Sequence, residues 1–136
     1  PEVSFVPARV SEALEVADEQ VEALLEEGWR PKDIALITMG ARHPVQAERQ
    51  QTMGFAGYWD DFWSNDDIFY GHVLGFKGME RRAVVLCVNE DGTRDRGRER
   101  LYVGLSRATD RLVVVGDLAA IERMGGGAVA QHLGTT

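Results

Sequence analysis

Apolar residues along this chain fall into short continuous runs and into positions spaced three or four residues apart. A continuous apolar run predicts a strand buried on both faces, as in a parallel sheet. Four such runs occur, and a shorter alternating segment near the start of the chain predicts a fifth strand. The predicted strands lie at residues 3–6, 34–38, 68–73, 83–88 and 112–115.

Helices are predicted between these strands. Ser11 has the side chain of a helix N-cap, and the apolar positions of residues 13–25 recur at helical spacing until Gly28 ends the pattern. Further helices are predicted at residues 44–53, 99–108 and 118–123, with one more helical turn in the tail, and a polar loop is predicted at residues 90–98. The aromatic and acidic residues 55–67 carry no secondary-structure prediction.

The order of these elements predicts the fold class. Strands that alternate with helices and are apolar on both faces are typical of α/β proteins. We therefore expect a doubly wound, mostly parallel sheet of five to six strands with helices on both faces. A length of 136 residues fits a single domain, residues 1–136. The first residue is Pro1 rather than Met, so we expect a processed chain or a part of a longer protein.

Composition and charge refine this picture. Hydrophobic residues make up 44% of the chain and charged residues 27%, as in ordinary globular proteins. No apolar run is long enough to span a membrane and no secretory signal is visible. The single cysteine, Cys87, lies in an apolar run and cannot form an internal disulfide, so we expect a buried thiol and a cytoplasmic location.

The net charge of −7 is unevenly distributed. Residues 1–70 hold 14 acidic and 5 basic side chains, whereas residues 71–136 hold 8 acidic and 10 basic ones. A negative chain disfavours strong nucleic-acid binding, because phosphate contacts depend on Lys and Arg. Most members of a run of arginines in the second half are expected on a solvated loop and helix face, and Arg107 is considered separately below. The run comprises Arg94, Arg96, Arg98, Arg100, Arg107 and Arg111.

Two segments carry candidate chemistry. The first, residues 75–80, has glycines that let backbone amides approach a phosphate, a charge at Lys77, and a carboxylate at Glu80 that can accept from a sugar hydroxyl. A glycine-lysine turn without a ligand is the other interpretation. In the second segment, Arg107 lies near the end of the predicted helix 99–108. It can stabilise charge on a transferring phosphoryl group, or it can simply complement the helix dipole.

Taken together, the two segments resemble motifs V and VI of the UvrD/PcrA/Rep family of superfamily 1 DNA helicases. The first match is KGME at residues 77–80 with the strand at 83–88. The second is LYVGLSRA at residues 101–108 with the strand at 112–115, where Ser106 stands in place of the commoner threonine. The resemblance covers residues 72–116 well and the strand at 34–38 more loosely.

The resemblance implies the second, RecA-like motor domain of such a helicase. It implies that Arg107 is an arginine finger, that Glu80 contacts the nucleotide sugar, and that Lys77 and Gly78 lie near the ATP cleft and the DNA path. The implied cofactor is ATP with Mg²⁺, bound mainly by an N-terminal motor domain of the same chain. The implied partner is DNA, expected to be single-stranded.

Three departures from the family pattern stand out. Leu74 occupies the position of a histidine that often precedes the motif V lysine, and His72 lies two residues further back. The motif IV arginine is absent directly after the strand at 34–38, and Arg42 is the nearest candidate for that nucleotide contact. The large domain that many relatives insert before motif V is missing, because about 30 residues separate this strand from the one at 68–73.

Other features leave alternatives open. The aromatic residues 55–70 can stack single-stranded bases, but we expect a structural cover instead, because several carboxylates among them repel phosphate. These are Asp60, Asp61, Asp66 and Asp67. The three histidines, His43, His72 and His132, are dispersed, so no metal site is expected.

The sequence contains no GxxxxGK[ST] phosphate loop and no acidic Walker B strand end. We therefore expect the chain to form one wall of an ATP cleft and not to hydrolyse ATP alone. Besides a motor half, two alternatives remain: a non-catalytic helicase-like scaffold that binds DNA or a nuclease partner, and a stand-alone nucleotide-binding module. The missing phosphate loop disfavours the last.

Overall fold

The computed structural model describes residues 1–64 and 66–135, and its centre is a five-stranded parallel sheet in the order β1-β5-β4-β2-β3. The sheet confirms the predicted α/β class and is consistent with a RecA-like doubly wound fold. All five predicted strands are present, and their bounds are β1 (Glu2–Pro7), β2 (Ile34–Thr38), β3 (Phe69–His72), β4 (Arg81–Cys87) and β5 (Ala108–Gly116).

Helices cover both faces of the sheet, as predicted. Successive residues of a strand point to opposite faces, so β4 sends Ala83 and Val85 toward α1 and Val84 and Leu86 toward the other helices. Within residues 1–64 and 66–135, no helix combines the length and apolar character needed to cross a bilayer. The helices are α1 (Ala13–Glu26), α2 (Pro44–Ser64), α3 (Gly97–Leu105), α4 (Leu118–Gly125) and α5 (Gly127–Gly134).

The two ends of α1 show one wrong prediction and one confirmed one. Ser11 is not the N-cap: the chain leaves β1 through a 3-10 turn at Val10–Glu12, which moves the helix start downstream, and no side chain caps it. At the other end, Gly28 has a φ of 102° and ends the helix as expected. The Trp29 amide donates to the Leu24 carbonyl at 3.1 Å, which closes a Schellman-type turn.

The longest helix, α2, bends around the edge strand β3. Gly54 has a non-helical φ of 73° and ψ of 172°, and it divides the helix into two halves. The first half lies on the Tyr70 side of the strand, where the Arg49 guanidinium is 5.2 Å from the Tyr70 ring. The second half packs Phe62 against Phe69 on the opposite side, with ring centroids 4.8 Å apart. The bend therefore covers an edge that would otherwise expose unpaired backbone groups.

The helix predicted at residues 99–108 is wrong at both ends, because α3 begins at Gly97 and ends at Leu105. The Ser106 amide donates to the Val103 carbonyl at 3.2 Å, and this tight turn stops the helix. Ala108 is already paired with Arg81 in the sheet, so β5 begins four residues before its predicted start. The tail forms the two-turn helix α5 rather than one turn.

Candidate functional site

The fold brings the two candidate segments together at the edge where the strands begin. Glu80 directly precedes β4 and Arg107 directly precedes β5, and these two strands are neighbours. The ladder starts with Arg81 opposite Ala108, and the Arg81 amide donates to the Arg107 carbonyl at 3.2 Å. Residues from two distant parts of the sequence are thus adjacent at one edge of the sheet.

The half-buried Arg107 side chain is held by three acceptors. Its Nη1 donates to the Met79 carbonyl at 3.3 Å, its Nε to the Val103 carbonyl at 3.1 Å, and its Nη2 to the Ser106 Oγ at 2.9 Å. Val103 lies in the last turn of α3, so the second contact is also what a helix-end arginine makes. The contact with Met79 is different, because it joins the arginine to the other candidate segment.

The glycine-lysine segment forms the end of an irregular loop between β3 and β4. Gly78 has a φ of 85°, a conformation that favours glycine and lets the loop turn into β4. Lys77 and Glu80 are exposed and have no hydrogen-bond or ion-pair partner among the residues that the structure describes. They line different clefts: Lys77 shares one with Glu99 of α3, and Glu80 shares another with Trp63 of α2.

Arg42 is not brought to the same edge. It lies in the turn between the end of β2 and the start of α2, at the edge where the strands end, and its Nη1 donates to the Gln50 Oε1. The geometry therefore does not unite Arg42 with Glu80 and Arg107 in one site. Arg42 instead lines a cavity of about 630 Å³ in the bend of α2, and Met79 lines the same cavity.

The histidines hold backbone segments in place. The His72 Nδ1 accepts from the Leu74 amide at 3.2 Å, so its Nε2 carries the proton and donates to the Met39 carbonyl at 3.1 Å. Burial is the main cause that lowers the pKa of His72, which favours the neutral ring. His43 is held in a similar way, because its Nδ1 accepts from the Val45 amide. Across residues 1–64 and 66–135, no three His, Cys, Asp or Glu side chains are placed to hold a metal ion.

The sequence analysis did not predict the burial of two arginines, Arg81 and Arg100. Arg81 donates to the carbonyls of Lys32 at 2.8 Å and Phe62 at 3.0 Å, so it ties the starts of β2 and β4 to the end of α2. Arg100 was expected on a solvated helix face, and this is wrong. Its Nη2 and Nε contact the Glu90 carboxylate at 2.6 and 3.2 Å, and both residues are only 5% exposed. No local pattern in the sequence marks either arginine.

The aromatic stretch is largely the structural cover that the sequence predicted. Tyr58 and Phe62 are buried in the core beneath the second half of α2, and the Tyr58 hydroxyl donates to the Tyr70 carbonyl. The exceptions are Phe55 and Trp63, whose side chains are 76% and 72% exposed. Cys87 is fully buried in β4, as expected, and burial raises the pKa of its thiol to about 12.

Comparison of the sequence with protein-family models finds no match. A search of curated proteins finds no match either. A functional assignment therefore rests on the motif resemblance and on the contacts at the edge where β4 and β5 begin.

Proposed function

We propose that this chain is the second motor domain of an ATP-dependent DNA helicase or translocase of the UvrD/PcrA/Rep kind. One observation carries the proposal. Arg107 and Glu80, which the motif resemblance selects from segments about 30 residues apart, directly precede the neighbouring strands β5 and β4. The Met79 carbonyl, which accepts from Arg107, belongs to the KGME segment itself.

The available groups at this edge fit a nucleotide. Glu80 has an exposed carboxylate with no partner among the described residues, and it can accept from a ribose hydroxyl. Arg107 presents a planar set of N–H donors suited to phosphate oxygens. The sequence has no phosphate loop, so the proposal requires an N-terminal domain of a longer protein to bind most of the ATP and its Mg²⁺. ATP supplies the phosphoanhydride bond whose hydrolysis drives movement along single-stranded DNA.

Arg107 contributes electrostatic stabilisation in this proposal. Its present acceptors are two neutral carbonyls and one hydroxyl, and hydrogen bonds to a charged phosphate are stronger than those to neutral groups. The guanidinium can therefore exchange the Met79 and Ser106 contacts for phosphate when the first domain closes on this edge. Its charge would then stabilise the charge that develops on the transferring phosphoryl group.

The test is the steady-state ATPase rate of the longer protein with saturating single-stranded DNA. We expect Arg107→Ala to lower the turnover number by about 10³-fold or more with little change in nucleotide affinity. The matched control is Arg98→Ala, which removes an exposed arginine of the neighbouring helix α3. A turnover number for Arg107→Ala close to that of the control would contradict the proposal.

A second candidate is a non-catalytic helicase-like scaffold. It is favoured by the three internal contacts of Arg107, which are what a structural arginine at the end of α3 would make. If the chain is a scaffold, we expect neither the longer protein nor its Arg107→Ala variant to hydrolyse ATP. It also predicts that DNA or partner binding survives the substitution.

A further inference from the structure

The outer edge of β1 is open in the part of the chain that the structure describes. The edge strand β3 is covered by α2, whereas β1 is the last strand at the opposite edge and pairs only with β5. At the end of β1, the Ala8 amide donates to the Gly116 carbonyl of β5 at 2.9 Å. Because the backbone groups of successive residues in a strand point to opposite sides, the amides and carbonyls of Val3 and Phe5 face away from β5. They have no hydrogen-bond partner among the described residues.

The position of Pro7 agrees with an open edge. Proline has no amide donor, and within sheets it is confined to edge strands, bulges and strand ends, where its nitrogen faces solvent. Pro7 is exposed and lies two residues after Phe5, so its backbone points to the same side. An added strand can therefore use both backbone groups of Val3 and of Phe5, but only the carbonyl of Pro7.

The surface beside this edge carries almost no charge. Charged residues make up 27% of the chain, yet residues 3–8 and 124–136 contain none. These segments meet in the fold, because α5 packs beside β1 and together with Val3 lines a cleft of about 340 Å³, which we call the α5 cleft. Apart from His132, its other lining residues are apolar: Leu105, Leu112, Ala128, Val129 and Leu133. Depletion of charged residues is typical of the cores of protein interfaces.

The edge of β1 is complementary to itself. If two β1 strands run antiparallel with Val3 of each opposite Phe5 of the other, each Val3–Phe5 pair exchanges both of its backbone hydrogen bonds. The side chains of Val3 and Phe5 lie on the same face of β1, so a β-branched side chain meets an aromatic ring in each pair, which is a favourable cross-strand combination. Glu2 is the one charged residue of β1, and it then lies opposite Val6, away from any like charge on the other strand.

We propose that two copies of this chain associate through antiparallel pairing of their β1 strands, which joins the two five-stranded sheets into one continuous sheet. The α5 clefts of both copies then lie on the same face of this sheet, one on each side of the seam. Two copies that each carry a net charge of −7 repel one another, so the uncharged surface around β1 is where they can approach. The interface does not include Arg107 or Glu80, and it stands or falls independently of the proposed motor function.

Sedimentation velocity of the 136-residue chain over a range of about 5–500 µM tests the proposal. One short strand and one cleft per copy make a small interface, so we expect a dimer with a dissociation constant on the order of 10 µM. Raising the salt from about 0.05 to about 0.5 M should strengthen the dimer, since salt screens the repulsion between two negative copies. A chain that stays monomeric throughout this range of concentration and salt would overturn the proposal.

Hydrogen exchange locates the contact. The amides of Val3 and Phe5 should become protected as the protein concentration rises, because they gain partners only in the dimer. The Ala8 amide already donates to Gly116, so its protection should change little. A dimer in which the Val3 and Phe5 amides stay unprotected would use another surface, and this result would also overturn the proposal.

Variants separate pairing from folding. Val3→Pro removes an outward amide that the fold does not use, and it should weaken the dimer by about tenfold or more. Val3→Thr keeps the donor and the branched shape, so this matched control should stay within about threefold of wild type. Thermal melts should show that both variants are folded. Equal dissociation constants for Val3→Pro and Val3→Thr would contradict pairing through β1.

A second pair of variants tests the α5 cleft. Ala128→Glu introduces a charge at an exposed position of the cleft, and it should weaken the dimer by about tenfold without affecting the fold. Ala56→Glu makes the same change at an exposed position of α2, beside the opposite edge of the sheet, and should leave the dissociation constant unchanged. If both glutamate variants weaken the dimer equally, general repulsion is the cause and the cleft is not part of the interface.

Discussion

The Arg107 Nη1 lies 3.3 Å from the carbonyl oxygen of Met79, so residues 28 positions apart in the sequence meet where β4 and β5 begin. Parallel pairing of Arg81 with Ala108 makes this contact possible, because the backbones of the residues that precede the two strands then lie close together. The backbone adjacency of Glu80 and Arg107 is thus a direct consequence of the sheet order.

We expect the isolated chain to show no measurable ATPase activity, with or without single-stranded DNA. The physical reason is that the sequence lacks a phosphate loop, so nothing in it cradles the β- and γ-phosphates. A coupled ATPase assay on the pure chain measures this. DNA-stimulated turnover by the pure 136-residue chain would show that a different phosphate site exists.

Binding of the isolated chain to single-stranded DNA should be weak and should fall steeply as salt rises. The net charge of −7 opposes association, and the basic side chains are concentrated in the second half of the chain. Fluorescence anisotropy at several salt concentrations should give dissociation constants above about 1 µM at about 0.15 M salt. A sub-micromolar value under those conditions would contradict this expectation.

The fold was largely predictable because its signals are local. The apolar runs that became β2 and β4 are continuous, and burial on both faces of a parallel sheet requires such runs. The roles of Glu80 and Arg107 stay predictions; the structure shows only that each residue directly precedes a strand, and both strands begin earlier than the sequence predicted. The distance between Glu80 and Arg107 in space follows from strand order, which the sequence pattern alone does not specify.

Other parts of the structure depend on contacts that no local pattern encodes. The second half of α2 was not predicted, because its apolar face packs on an edge strand and its start depends on the bend at Gly54. The burial of Arg81 and Arg100 was missed for the same reason. Their acceptors come from distant elements, and a charged residue is ordinarily assigned to the surface.

The buried pair of Arg100 and Glu90 should be important for stability. Glu90→Gln or Arg100→Met leaves one buried partner uncompensated, and we expect the free energy of unfolding to fall by about 3–5 kcal/mol. Urea denaturation measures the loss. The double variant Arg100→Met with Glu90→Leu should recover much of it, because it leaves no buried charge. A loss no larger than that of the exposed control Arg82→Ala would contradict the prediction.

His72 should make the fold sensitive to mild acid. Burial lowers the pKa of His72 in the folded chain, so below its unfolded pKa of about 6.5 the unfolded chain binds a proton that the folded chain does not. Above about pH 6.5, His72 therefore does not lower the free energy of unfolding. It falls by up to about 1.4 kcal/mol per pH unit as the pH drops from there toward the folded pKa.

Urea denaturation at a series of pH values from 7.5 to 5 measures this loss. In His72→Gln the amide can still donate to the Met39 carbonyl and does not titrate, so the part of the pH dependence due to His72 should disappear. If His72→Gln shows the same slope as wild type between pH 6.5 and 5, another group is responsible.

The most discriminating prediction concerns Arg107→Lys. A lysine ammonium can reach one of the three present acceptors, but it cannot reproduce the planar fork that donates to Met79, Val103 and Ser106 together. If Arg107 is an arginine finger, the lysine variant of the longer protein should have a turnover number nearly as low as that of Arg107→Ala. If Arg107 is only a cation at the end of α3, the lysine variant should have a near-normal turnover number.

Stability distinguishes the two roles further. A positive charge near the C-terminal end of α3 stabilises the helix dipole by about 0.5 kcal/mol. Arg107→Ala should therefore change the melting temperature of the isolated chain only slightly. A large fall in turnover with a nearly unchanged melting temperature is the outcome that a finger predicts. A melting temperature lowered by more than about 10 °C, together with normal turnover after correction for folded protein, would assign Arg107 to the fold instead.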